Sequence, residues 1–448
     1  MRTILGTLAA LSITATLTAL GGCGGSDSGS GSTSSSTQSS SSGGKGGSGP
    51  TSCSDSSIDV SSCTTVLAAS GKDDTDAVQT ALIEAHSSDT ICFCPGSYAF
   101  SKQLSLTVPK VTVKGLGAAI DDVSLDFAGV TTGGNDTMLV TADSFTIENL
   151  AVKNTPGNGV VVRQSDSPTF RKLHVKWDST DSTKHGAYAV YPAECKNVLI
   201  EDCEVEGAAD AAIYVGQGTG AILRRNKAHD SVLGIELENT TNGEAYDNET
   251  YDNSGGLAVF LLGNLTKKTA DHNLIHDNNI HDNNHENFGD PKTFVAAVPQ
   301  GTGVIVIGAD DTEIRNNTIT NNESTGISVV SYTLMEQLVP GASADPDTDP
   351  DPDRTFIHGN TFTNNGVTPQ GAFGLLAIKP LENVLWDGIN KTNAPASNVA
   401  KLCLGAAGPY PSFRMFDGAD LLGSGTQMQS TDTTPYQCDL PAQAGSAP

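Results

Sequence analysis

Leu223-Arg224-Arg225-Asn226-Lys227-Ala228-His229-Asp230 is followed, 22 residues on, by Ala245-Tyr246-Asp247-Asn248-Glu249-Thr250-Tyr251-Asp252. Both stretches carry a core-type residue, an Asn three positions later, and a second core-type residue two beyond that. Working outward, the pattern recurs as columns. One reads Ile147, Phe170, Ile200, Leu223, Ala245, Ile275, Ile314, Ile357. The next reads Leu150, Leu173, Cys203, Asn226, Asn248, Asn278, Asn317, Asn360, and the third Val152, Val175, Val205, Ala228, Thr250, Ile280, Ile319, Phe362. A further strand supplies Gly followed by an apolar residue at Gly159, Gly186, Gly234, Gly256, Gly303, Gly326 and Gly374, with Ala212 in place of a Gly. Val160, Ala187, Ile213, Ile235, Leu257, Val304, Ile327 and Leu375 would then point inward. Within each strand apolar and polar residues alternate, so one face is buried. A single turn cannot bury that face alone, whereas stacked turns make a continuous core. The in-phase Asn column suits a turn where side-chain amides bond rung to rung. These observations predict an all-β, right-handed parallel β-helix. A β-sandwich or barrel of short antiparallel strands does not explain the Asn column.

Composition agrees. The chain has 448 residues, 51 Asp+Glu against 25 Lys+Arg, a net charge of −26, and 48 Gly. So acidic a chain lacks the basic face that nucleic acid requires. The chain is long enough to bury a large core.

Residues 1–22 read as an export signal: Arg2, then an apolar to neutral run too short for a good membrane span, ending at Leu20-Gly21-Gly22-Cys23. The ending is similar to a bacterial lipobox, which implies diacylglycerol on the Cys23 thiol and a bilayer as partner. Gly24 follows, without the Asp that retains such proteins at the inner membrane, so the outer membrane, cell surface or periplasm is the expected location. Residues 23–50 form a tether. Of the 27 residues after Cys23, 12 are Ser and 9 are Gly, a composition that cannot bury apolar surface.

Eight further cysteines in an exported chain predict disulfides. Cys92 and Cys94 on one strand face sit too far apart to bridge each other. Each is expected to pair with Cys53 or Cys63. Cys403 and Cys438 would staple the C-terminal part, and Cys195 and Cys203 are expected to be free. Residues 51–144 read as an N-terminal cap and first coils. Within them Asp73 to Ala85 forms a helix, N-capped by Asp76 with Gln79 reaching back, its apolar stripe made of Val78, Leu82 and Ile83. Residues 145–392 hold the repeats, with a loop insertion near 333–354, and residues 393–448 a C-terminal cap.

Pro95-Gly96-Ser97-Tyr98 and Val111-Thr112-Val113-Lys114-Gly115-Leu116-Gly117 resemble the N-terminal cap and first coil of the pectate-lyase-like superfamily. The runs Gly234-Ile235-Glu236-Leu237-Glu238-Asn239, Asn253-Ser254-Gly255-Gly256-Leu257-Ala258-Val259-Phe260, Val298-Pro299-Gln300-Gly301-Thr302-Gly303 and Ser331-Tyr332 resemble a family of exported bacterial β-helix-repeat lipoproteins. The likeness spans most of residues 70–380 and implies fold and compartment; the family has no settled activity. More distantly the repeats are similar to carbohydrate-binding and sugar-hydrolase β-helix modules. The Asp triad of polygalacturonase-like hydrolases and the Asp-Pro-His-Asp of mannuronan epimerases do not occur in the chain.

Ligands on such a solenoid lie along an outward face, where rungs are about 4.8 Å apart. The first strand points Glu148, Arg171, Glu201, Arg224, Tyr246, His276, Arg315 and His358 outward, readable as an ion-pair ladder. The second points out His174, Glu204, Lys227 and Glu249, then Lys176, Glu206, His229, Tyr251 and His281; the third adds Tyr188, Tyr214, Glu236 and Glu238. Residues 163–227 hold 9 of the 25 Lys+Arg against 9 Asp+Glu, a locally neutral zone where an anionic polymer meets least repulsion. Polysaccharide is therefore the expected partner. Lys176, Glu204, His229, Glu236 and Tyr251 are the catalytic candidates for a lyase or epimerase. Arg171, His174, Lys184, Tyr188, Tyr214, Arg224, Lys227 and Glu238 are the substrate-binding candidates, with Tyr faces stacking on sugar rings. The alternative is a non-catalytic structural module binding an envelope protein.

Metal signals are weak. His272, His276, His281 and His285 cluster without a Cys or Met partner. The segment from Asp345 to Asp353 is acidic and Pro-rich and reads as a disordered surface loop. Asp230, Asp252 and Asp282 form an outward turn column able to take Ca²⁺, the one cofactor considered.

Overall fold

In the computed structural model the described residues are 52–131, 136–339, 342–389, 402–418 and 429–446. Residues 1–22, the tether and Cys23 lie outside them, as do residues 390–401. None of the described helices is long and apolar enough to cross a membrane.

Three strands per turn stack in parallel. The first sheet includes Leu199–Glu201, Ile222–Arg224, Glu244–Tyr246, Leu274–His276, Glu313–Arg315 and Phe356–His358. The second includes Glu204–Glu206, Lys227–His229, Glu249–Tyr251, Asn279–His281, Thr318–Thr320 and Thr361–Thr363. In earlier turns one bent strand, such as Thr169–Lys176, serves both sheets. The third sheet runs through Asn158–Arg163, Val190–Ala193, Ala211–Gly216, Leu233–Glu238, Gly255–Phe260, Thr302–Ile307 and Thr325–Val330. The first three columns face inward in the expected register, and their apolar members are buried except Phe362, which is half-buried at the last rung.

Asn226 Nδ2 donates to Asn248 Oδ1 at 3.0 Å, Asn248 to Asn278 at 3.0 Å, Asn278 to Asn317 at 2.9 Å and Asn317 to Asn360 at 2.9 Å. Each amide also takes a backbone N–H of the preceding rung and donates to a carbonyl. A second ladder, Asn253–Asn283–Asn322–Asn365–Asn383, does the same at the turn between the second and third sheets. Asp252 and Asp282, before Asn253 and Asn283, both have φ of 52°, and Asp230, before Ser231 one rung earlier, has 54°, a conformation Asn and Asp tolerate best among side-chain-bearing residues.

The inward column of the third sheet, Val160 to Leu375, needs correction at two turns. Val160 pairs with Val190, so Ala189 and Val190 stand where Gly186 and Ala187 were expected. Gly186 ends an insertion that carries the 3-10 turn Ser182–Lys184. It is Gly because a Cβ there would fall 1.7 Å from the Gly157 oxygen. At the far end Val384, not Leu375, continues the column, and Leu375 is 64% exposed on the turn Gly371–Gly374. Both long gaps in the Gly spacing are single turns lengthened by insertions.

The capping helix is Thr75–Glu84, with Val78 and Leu82 buried. Its N-cap is Asp74, not Asp76; Asp73 accepts from Thr75 N, and Gln79 bridges to the backbone of Ser105. Ile83 is 70% exposed and leaves the apolar stripe. Disulfides join Cys53 to Cys94, Cys63 to Cys92 and Cys403 to Cys438; Cys195 and Cys203 are free and buried in the core.

Insertions at 178–189, 262–273, 284–301, 331–355 and 366–383 all leave or re-enter beside the third sheet. They cover its outward side, so Tyr214, Leu233, Ala258, Phe260, Ile305, Ile307 and Val330 pack into a second apolar cluster with Val295, Val298, Leu334 and Phe373. The acidic segment expected to be a disordered surface loop belongs to this cover: Asp345, Asp351 and Asp353 are buried, and Asp345 pairs with Lys268.

Candidate functional site

The outward residues do not form one patch; the three sheets divide them. On the first sheet Arg171 and Arg224 are consumed by Glu201. Its carboxylate takes Arg171 Nε at 2.6 Å, Arg224 Nη2 at 2.8 Å and Arg225 Nη2 at 2.8 Å. Burial opposes its charge, yet the three guanidinium groups hold its pKa down to about 2. The ladder therefore stabilises the stack and offers little free cation to a substrate.

On the second sheet Lys176 is paired with Asp121 at 3.3 Å, and His174 bridges Asp121 at 3.0 Å and Glu206 at 3.3 Å. Lys227 is paired with Glu249 at 3.2 Å, and Glu204 lies 3.4 Å from His229 Nε2. The rings of His229, Tyr251 and His281 stack rung on rung, with centroids 4.7 and 5.4 Å apart and planes within 13°. Their faces are spent on one another, so Tyr251 presents an edge outward and cannot stack on a sugar. Lys184 is 69% exposed in its turn, paired with Asp181 at 3.6 Å, and away from this row.

Tyr188, Tyr214, Glu236 and Glu238 sit on the third sheet, beneath the cover. Glu236 and Glu238 alternate along Leu233–Glu238 and so share its outward face. They are joined by Asp210, which the sequence reading did not select, at the start of the neighbouring rung. Tyr188 hydrogen-bonds Asp210 and packs on Tyr191 and Tyr214, with centroids 4.7 and 4.6 Å away. Tyr214 donates to Glu238 Oε1 at 2.7 Å. Its ring lies over Gly216, where a Cβ would meet the Tyr214 hydroxyl at 2.1 Å. Glu236 is 3% exposed, and its Oε2 is buried with no hydrogen-bond partner.

Charge is expensive in this setting. Burial pushes Glu236 well above the usual carboxylate range, with Asp210 and Glu238 adding repulsion. Burial also raises Glu238, against the Tyr214 hydroxyl. Asp210 is pushed up to about 7, by burial foremost and then by Glu238, while the Tyr188 hydroxyl opposes the shift.

Asp210 is the member that reaches a cavity. A cleft of about 410 Å³ is lined by Ser182, Thr183, His185, Ala209, Asp210, Phe288, Asp290 and Thr293 among others. One wall is fixed by His185, whose ring nitrogens lie 2.6 Å from Gly207 O and 2.7 Å from Ser179 O and whose ring stacks on Trp177. The other is the 284–301 segment, folded on itself by Asn287, which donates to the carbonyls of Val295 and Val298. Beyond that segment the same face holds an apolar cavity of about 350 Å³, lined by Phe294, Val298, Ile305, Val330, Leu334 and Phe373 among others.

Two groups of side chains place metal-ligating atoms within 4.8 Å of one another among the described residues: Glu206–His229–Asp230, and Asp310–Asp349–Asp353. Asp230 belongs to one of them; Asp252 and Asp282 belong to neither. The four clustered His are engaged singly: His272 with Asp271, His276 with Asp277 and Glu244, His281 with Asp282 and Glu249, His285 with a backbone carbonyl.

Comparison with known proteins agrees with this architecture. Residues 137–266 match the family model described as right handed beta helix region. The mannuronan C-5 epimerase AlgE6 A-module of Azotobacter vinelandii superposes with a TM-score of 0.53 at 18% identity, covering 75% of this chain and 81% of that one. The polygalacturonase of Erwinia carotovora subsp. carotovora gives 0.45 at 11% identity, covering 72% and 96%. No curated protein matches in sequence. The chain is an all-β right-handed parallel β-helix, and these likenesses speak to its fold.

Proposed function

We propose that this β-helix binds and modifies a polysaccharide in the cleft over its third sheet, with Asp210 as the proton-transfer group. The observation that carries the reading is Asp210 itself: a carboxyl on the cleft wall, pushed up to about 7 by burial foremost and then by Glu238. A general acid works best with a pKa near the working pH, and the cleft volume is that of a ligand site. Of the five residues read as catalytic, Glu236 stays in the site, behind Asp210. Lys176, Glu204, His229 and Tyr251 lie on another sheet, so a lyase or epimerase set of Lys176 or Tyr251 with Glu204 and Glu236 is divided between two faces.

The test is a glycan panel against the full chain, with Ca²⁺ present, following binding and product mass together. Ala209→Trp, which fills the cleft from its wall, is expected to abolish binding; unchanged binding sinks the reading. A second reading, a non-catalytic envelope module with a protein partner, is favoured by the apolar cavity beside Phe294; binding without product supports it. The reading also places the protein outside the cytoplasm, held to a bilayer by acylated Cys23. Three disulfides suit an oxidising compartment. Incorporation of labelled palmitate by the native chain and its loss in Cys23→Ser tests the anchor.

A further inference from the structure

The cleft carries two carboxyls from two different segments. Asp210 comes from the turn that opens Ala211–Gly216, and Asp290 from the 284–301 segment laid over it. Those segments touch: a Cβ on Gly289 would stand 3.5 Å from Ala209 O. Asp290 is exposed at the rim and Asp210 is buried at the base. Ser182, Thr183 and Thr293 add neutral hydroxyls, and the lining includes no Lys or Arg. Behind it stand Glu236, with its orphaned Oε2, and Glu238. Of the basic side chains expected to hold an anionic polymer, Arg171 and Arg224 are paired with Glu201, Lys176 with Asp121 and Lys227 with Glu249, all away from the cleft, while Lys184, beside the lining residue Thr183, is paired with Asp181. A uronate would bring a third carboxylate into a cleft whose lining already holds two carboxyls and, His185 aside, no basic side chain.

We infer that the substrate is an uncharged glycan and that its glycosidic bond is hydrolysed between Asp210 and Asp290, an inference that rests on the polysaccharide reading above. Asp210 gives its carboxyl proton to the glycosidic oxygen while the C1–O bond breaks and its electron pair stays on that oxygen. Asp290 takes one proton from a water whose oxygen forms the new bond to C1. One water is consumed per bond, Asp290 returns its proton to solvent, and Asp210 is reprotonated from solvent. No oxidant, metal or cofactor enters the balance. Asp290, exposed at the rim, is the carboxyl of the pair that is open to the attacking water.

The experiment incubates the full chain with neutral glucans, galactans, mannans and xylans, and separately with polygalacturonate and alginate. New reducing ends, unsaturated-uronate absorbance and product mass are read in parallel. Expected are new reducing ends from at least one uncharged polymer and no change in either uronate polymer. Asp210→Asn and Asp290→Asn should each lower that rate about 100-fold or more. Asp290 lies at the rim, so its variant folds even if the buried one does not. Turnover of a uronate polymer alone, or undiminished turnover in Asp290→Asn, overturns the hydrolysis of an uncharged glycan while leaving the polysaccharide reading in place. Neither polymer class bound nor altered overturns both.

Discussion

Tyr214 gives its hydroxyl to Glu238 one rung away, at 2.7 Å, and this bond decides how three buried carboxyls share their protons. Glu238 has a donor, whereas Glu236 Oε2 has none. Negative charge at the back of the site is therefore best carried by Glu238, and the charge on Glu238 raises Asp210. Tyr214→Phe removes the donor but keeps the ring. In that variant the pH above which glycan turnover falls should move from its native position, with the fold intact by circular dichroism. An unmoved profile would show that Glu238 has no influence on Asp210.

The same cluster links stability to pH. Asp210 has a folded pKa near 7, above the roughly 3.9 of an unfolded Asp. Between those values the unfolded chain holds fewer protons than the native one, so stability falls as pH rises from about 4 to about 7 and levels off beyond. Thermal denaturation should give a higher Tm at pH 5 than at pH 7 from this group, and Asp210→Asn should flatten the slope in that window. The depressed Glu201 acts oppositely, losing its contribution only as pH falls below about 4 towards 2.

Breaking the Asn ladder should be costly. Asn248→Ala removes a fully enclosed amide that serves two rungs and strands the Asn226 amide and a backbone N–H. About 1–3 kcal/mol is expected for each buried group left unpaired, measured by urea denaturation. A loss under 1 kcal/mol would mean that water replaces the ladder.

Glu201→Gln leaves Arg171, Arg224 and Arg225 crowded around a neutral amide. It should destabilise the chain by about 2 kcal/mol or more without altering glycan turnover, since Glu201 lies outside the cleft. Lys176→Ala and Tyr251→Ala should likewise leave turnover unchanged. Loss of turnover in either would return the site to the second sheet.

Burial raises Cys195 to about 11 and Cys203 to about 12. In a Cys23→Ser chain a thiol reagent at neutral pH should titrate no cysteine while the fold holds and two once it is unfolded without reductant. Reaction in the native state would place one of these side chains outside the core.

Much of the fold was legible because parallel stacking writes itself as columns: Leu223, Asn226 and Ala228 each have an equivalent one turn on. The second Asn ladder carried the same signal, five residues after the first, at Asn253, Asn283, Asn322 and Asn365, and went unread. Chain compartment and strand geometry separated Cys92 from Cys94 and paired Cys403 with Cys438, but left open which of Cys53 and Cys63 each partner takes. The site was less legible, because outward does not mean exposed once insertions fold back. Glu236 and Glu238 alternate like surface residues, yet segments distant in sequence bury them. Asp210 had a local clue, a lone acid inside Ala208-Ala209-Asp210-Ala211-Ala212, since a charge set among small apolar residues is seldom solvated.

The link between first and second sheets is two residues long at Asp202-Cys203, Arg225-Asn226, Asp247-Asn248, Asp277-Asn278, Asn316-Asn317 and Gly359-Asn360, whereas every long insertion flanks the third sheet. This separates what the chain can change from what it cannot. Adding one residue to a two-residue link would put an Asn out of phase with both neighbours. Lengthening a third-sheet insertion leaves every ladder untouched, because loop closure costs rise only slowly with length. The molecule is thus an invariant spine with exchangeable cladding, and new specificities can be grafted onto that one side while the spine is inherited whole.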